Sequence, residues 1–119
     1  MPWYAAHVIM CTMFKDGHQE VFPVWEDIIL VNAVNPDVAK EKASNRARED
    51  EGDSSGSYTY DGRPATWVFS GIRKLIECQD PDDTPGDGTE ITYSVFQIDT
   101  EDALQKLVEG ESVTLRYEE

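Results

Sequence analysis

Residues 58–78 read Tyr-Thr-Tyr-Asp-Gly-Arg-Pro-Ala-Thr-Trp-Val-Phe-Ser-Gly-Ile-Arg-Lys-Leu-Ile-Glu-Cys, and this stretch decides the fold. Tyr58, Thr59 and Tyr60 are β-prone. Asp61-Gly62 then supplies the two positions of positive φ that a type I′ hairpin turn demands. Pro64 has no N–H to give a ladder, so its nitrogen must face an edge or a bulge. The chain is β-prone again through Trp67, Val68 and Phe69, and Gly71 interrupts it. Beyond Gly71 the alternation of Ile72, Leu75 and Ile76 is out of phase with the residues before it, which a bulge at Gly71 would explain. In one reading Trp67, Arg63 and Arg73 line a groove. In the plainer one the aromatic residues fill the core and the cations meet neighbouring carboxylates.

Working outward, residues 3–14 (Trp-Tyr-Ala-Ala-His-Val-Ile-Met-Cys-Thr-Met-Phe) are apolar on both alternating faces, which predicts a strand inside a sheet. Lys15-Asp16-Gly17-His18 is a turn. Residues 19–34 resume strand character, with a bend expected near Pro23, Glu26 and Asp27, and complete a first hairpin. Asn35-Pro36-Asp37 starts a helix: Asn caps, Pro fits the first turn and Asp suits the positive end of the dipole. The helix runs to about Glu51 and offers a narrow stripe of Val38, Ala39, Ala43 and Ala47. A Gly/Ser/Asp loop leads to the central hairpin.

Residues 79–88 are a loop by every signal. A strand over 89–98, a short helix after Asp99 or Thr100 that ends at Gly110, and an alternating strand over 112–117 finish the chain. The order is ββαβββαβ. It predicts one α+β domain spanning 1–119: a mostly antiparallel sheet of about six strands with two helices on one face.

Composition narrows the function. The 24 acidic and 10 basic residues of this 119-residue chain give a formal charge of −14, which argues against nucleic acid and anionic membrane surfaces as partners. No secretion signal and no membrane span of roughly 18 apolar residues is visible, so a cytoplasmic location is expected. Cys11 and Cys78 read as reduced, buried thiols.

Chemistry is sought and not found. The oxygen-rich run of Asp80, Asp82, Asp83, Asp87 and Glu90 fails the EF-hand template, with Pro85 at the sixth position and Ile91 at the twelfth. Cys11 and His7 share a strand face but stand about 13 Å apart by strand rise, too far for proton transfer. Glu26 and Asp27, adjacent on a strand, point to opposite faces. We therefore expect no catalytic residue, no metal and no cofactor. The surviving feature is aromatic: Trp3, Tyr4, Trp25, Tyr58, Tyr60 and Trp67 could converge on one end or face of the sheet.

The start Trp3-Tyr4-Ala5-Ala6, the step Val24-Trp25-Glu26, the block Asp61-Gly62-Arg63-Pro64-Ala65 with Trp67-Val68-Phe69, the run Gly71-Ile72-Arg73-Lys74-Leu75 and the pair Glu77-Cys78 resemble a family of small bacterial proteins classed as a domain of unknown function. The resemblance covers nearly the whole chain. It implies a bacterial, cytoplasmic, single-domain protein and carries over no catalytic residue. Small acidic α+β proteins of this kind are similar in size and charge to immunity proteins of bacterial toxin systems.

Three readings follow. The first is a non-enzymatic module that meets a basic protein through an acidic, aromatic surface, with Trp3, Trp25, Arg63, Trp67 and Arg73 as candidate binding residues and an immunity-type inhibitor as the concrete case. The second is a small-molecule binder or small enzyme with a pocket at the Gly71 bulge, using Arg63, Arg73 or His7. The third is a structural homo-oligomer that buries an apolar sheet face.

Overall fold

The run that is apolar on both faces forms a strand with a neighbour on each side. In the computed structural model, which describes residues 1–118, β1 (Trp3–Phe14) pairs antiparallel with β2 (Val24–Asn32) on one edge and β4 (Arg63–Glu77) on the other. β3 (Thr59–Tyr60) completes a four-stranded sheet of order β2-β1-β4-β3. Asp61 and Gly62, at φ 53° and 74°, make the expected tight turn between β3 and β4, and Tyr60 pairs with Arg63 across it.

Even-numbered residues of β1 face a helix, α1 (Pro36–Glu49). Tyr4, Ala6, Val8 and Met10 form one core with Val31 and Ala33 and with Ala39, Ala43 and Ala47 of α1. The small-residue stripe is what lets the helix backbone lie close on the sheet. Asn35 caps this helix by accepting the Val38 N–H at 2.8 Å, with Pro36 in the first turn.

The β1–β4 ladder changes register twice, between His7 and Val8 and between Ile9 and Met10. Arg73 is the extra residue of the first bulge and Ser70 of the second, with Gly71 between them at φ 147°. Each bulge reverses the facing of the residues beyond it. As a result Trp67, Phe69, Ile72 and Leu75 all pack against the α1-side core, although no single period connects them.

Three expectations need correction. The six strands divide between two sheets, because β5 (Phe96–Gln97) and β6 (Arg116–Tyr117) pair with each other and not with the larger sheet. α2 (Glu101–Val108), capped by Thr100, buries no residue, so α1 supplies the helix packing on the main sheet. The bulge or bend expected near residues 23–27 does not form: β2 begins just after Pro23, and Glu26 and Asp27 sit in an unbroken register with Ile9 and Val8.

A Cβ added at Gly71 would meet nothing within 4 Å, but its φ suits glycine. Gly71→Ala should therefore cost about 1–3 kcal/mol of unfolding free energy through backbone strain alone. Gly86→Ala, equally open and outside the positive-φ region, should stay within about 0.5 kcal/mol of wild type. Urea titration of both variants checks this.

Candidate functional site

On the face away from α1, the first bulge turns Arg73 toward β2. Its guanidinium donates to Glu26 Oε2 at 2.9 Å. The same carboxylate oxygen accepts from His7 Nδ1 at 2.5 Å, and His7 Nε2 lies 2.5 Å from Thr92 Oγ1. With Nδ1 donating to the carboxylate, a neutral ring leaves Nε2 to accept the Thr92 hydroxyl. Hydroxyl, imidazole and carboxylate stand in line, as a nucleophilic triad would require. The surroundings do not suit that chemistry: His7 is 1% exposed, and Arg73 already compensates the Glu26 charge. The line acts as a clamp, fastening residue 92 to the sheet across 85 positions of sequence. Lys74 donates to the Tyr93 carbonyl beside it.

Burial pushes the Glu26 carboxyl upward, but the hydrogen bonds from Arg73 and His7 and the charge of Arg73 outweigh it and hold the group below its ordinary value. A carboxyl lowered by folding stabilises the protein above its unfolded-state range and loses that contribution as pH falls through the folded value. Glu26→Gln should thus be less stable than wild type at neutral pH. The gap should close below about pH 4, the ordinary carboxylate range, in urea midpoints measured along a pH series.

The thiols are likewise withdrawn from solvent. Cys11 and Cys78 are buried and unbridged, and desolvation raises both, with Glu77 adding to the rise at Cys78. Cys11 pairs with Val68, whereas Cys78 donates its backbone N–H to Trp3, at the far end of β1.

The turn end of the sheet is different in character. Trp25 on β2 meets Trp67 on β4 edge-on at 4.8 Å between ring centroids, and Tyr60 at 6.1 Å. Tyr58 contacts Trp67, and Phe14 contacts Tyr60. Trp67 is fixed from the edge by Gly52, with which it exchanges both backbone hydrogen bonds, at 2.8 and 3.0 Å. Arg63 lies 3.8 Å over the Phe14 ring and ties down the β1–β2 loop by donating to the carbonyls of Asp16 and His18.

Beside this cluster lies an open depression of about 450 Å³, lined by Phe14, Val21, Tyr60 and Arg63 and rimmed by Glu20 and Asp61. Trp25 and Tyr60 stay 39% and 38% exposed, and Val21 and Phe22 are more exposed still. An aromatic floor, a fixed guanidinium and carboxylates at the rim make a surface suited to a partner bearing apolar and cationic groups.

Of the five candidate binding residues, Trp25, Arg63 and Trp67 come together at this end. Trp3 lies at the opposite end of β1, opposite Asn32, and Arg73 sits in the clamp on the other face. Arg63, Arg73 and His7 therefore do not converge at Gly71. The depression there, about 530 Å³, is lined instead by Lys40, Arg48, Glu51 and Phe69. Sequence reasoning missed Phe14, Val21 and Phe22. The signal for the last two was an apolar pair in a loop, ahead of the proline that precedes β2.

The chain belongs to a family described as a domain of unknown function (DUF4288), whose sequence model matches residues 3–94. That span contains the whole four-stranded sheet, α1, the clamp and the aromatic end, and it stops before β5. Neither a curated protein nor a solved structure matches the chain. Among the described residues no helix is long and apolar enough to cross a membrane.

Proposed function

We propose that this chain is a non-enzymatic protein-binding module that receives a basic protein at its aromatic end, with an immunity-type inhibitor of the bacterial cytoplasm as the concrete case. The observation that carries this reading is a contrast. The side chains able to do chemistry are spent on one another: His7, Glu26 and Arg73 in the clamp, Cys11 and Cys78 as buried thiols. The large apolar residues at the turn end stay in water beside a carboxylate rim. The chain's charge of −14 would draw a basic partner in and orient it, an effect that salt screens.

A tagged chain expressed in a bacterial cytoplasm and purified at low and at moderate salt tests this. The expected result is a stoichiometric basic protein that leaves as salt rises. The double variant Glu20→Lys/Val21→Ser, placed at highly exposed positions, should retain the fold by circular dichroism and lower recovery of the partner at least about tenfold. A chain that retains nothing at low salt, or a complex indifferent to both salt and the double variant, rejects the reading.

A further inference from the structure

The two edges of the main sheet are treated unequally. On the β4 side the edge is managed. β3 is two residues long, Gly52 occupies the bonds of Trp67, the Glu51 carboxylate accepts the Phe69 N–H at 2.9 Å, and two bulges break the line beyond. These are the devices by which proteins keep strand edges from pairing with other chains.

β2, at the other edge, has none of them. It runs nine residues without proline, lysine or bulge. Thr12 donates to the Pro23 carbonyl and Ala33 to that of Pro2, so the odd-numbered residues of β2 are the ones bonded to β1. Antiparallel alternation then aims the N–H and C=O groups of Val24, Glu26, Ile28 and Leu30 outward. Among the described residues only Asn32, at the strand's end, has its outward carbonyl engaged, by Lys42 at 2.5 Å. The side chains of Val24, Ile28 and Leu30, on the face away from α1, are 54%, 46% and 38% exposed. Of the sixteen exposed large apolar residues, these three share one face of β2, while Val21, Phe22 and Trp25 belong to the aromatic end and six more fall in residues 91–117.

We infer that β2 pairs antiparallel with β2 of a second copy about a two-fold axis through Ile28, joining two four-stranded sheets into one of eight. The strand is complementary to itself in this register. All nine residues overlap, Ile28 faces Ile28, Glu26 faces Leu30 and Asp27 faces Ile29 of the second copy, so no carboxylate meets another. A register centred one residue earlier would set Asp27 against Asp27, which is repulsive. Glu26 enters already paired with the Arg73 guanidinium and hydrogen-bonded by His7.

This inference goes beyond the binding reading and uses the backbone edge of β2 instead of the aromatic depression, although Trp25 borders both.

Sedimentation equilibrium of the full chain at micromolar concentration tests it. The expected result is a species of twice 13.4 kDa, whose association strengthens with salt because each copy carries −14; a complex with a basic protein would weaken. Ile28→Lys sets two ammonium groups opposite each other and should raise the dimer dissociation constant at least about tenfold. Ile28→Pro, whose lost N–H faces outward and leaves the β1 ladder intact, should do the same while circular dichroism stays unchanged. A wild-type monomer at every concentration and salt overturns the proposal, as does a dimer that both variants leave intact.

Discussion

The structure depends on the ladder between β1 and β4, and on the two places where that ladder skips. A strand fifteen residues long paired without interruption would present its apolar residues alternately to both faces. Trp67 and Phe69 would then serve the α1 side while Ile72 turned away from it. Inserting Ser70 and Arg73 as unpaired residues returns Ile72 and then Leu75 to the face covered by Ala39, Ala43 and Ala47. Gly71 makes two closely spaced bulges feasible, since its φ of 147° suits glycine. Core formation on one face and ion pairing on the other are thus consequences of one local device.

Arg73, the residue extruded by the first bulge, reaches across β1 to Glu26, and Glu26 holds His7. Both faces of β1 are therefore closed: by the helix on one side and by the clamp with Thr92 on the other. What stays open lies at the periphery of the sheet, at the turn end and along the outer edge of β2. In a protein of this charge the two proposed contacts would respond to salt in opposite ways. On the binding proposal, a cationic partner at the aromatic end would be held best at low ionic strength; on the dimer proposal, a second acidic copy at the β2 edge would be held best at high ionic strength.

Much of the fold was legible because it rests on local rules. The Asp61-Gly62 turn, the Asn35 cap, the alanine stripe of α1 and the two-sided apolar pattern of β1 each follow from a few neighbouring residues. The bulge at Gly71 was visible as a phase change, but its doubling was not, because Ser70 and Arg73 look like ordinary outward residues until the partner strand is known. The strands expected at 89–98 and 112–117 shrink to two residues each, and these pair with each other instead of joining the main sheet. The aromatic set was recognised, but pairing alone decides which members meet. Trp25 and Trp67 sit opposite Met10 and Thr12 on one face of β1, while Trp3 lies at the far end of that strand. The clamp joins positions 7, 26, 73 and 92, and no spacing in the chain announces it.

The most direct test is the backbone register itself, read from inter-strand nuclear Overhauser effects in isotopically labelled protein. The account predicts contacts of Thr12 with Trp67 near the turn, and of His7 with Lys74 and Ala5 with Ile76 beyond the bulges. An unbroken ladder continued from the turn would instead place His7 opposite Ile72 and Ala5 opposite Lys74. Finding those contacts would contradict the doubled bulge, and with it the placement of Arg73 on Glu26 and the closed faces of β1.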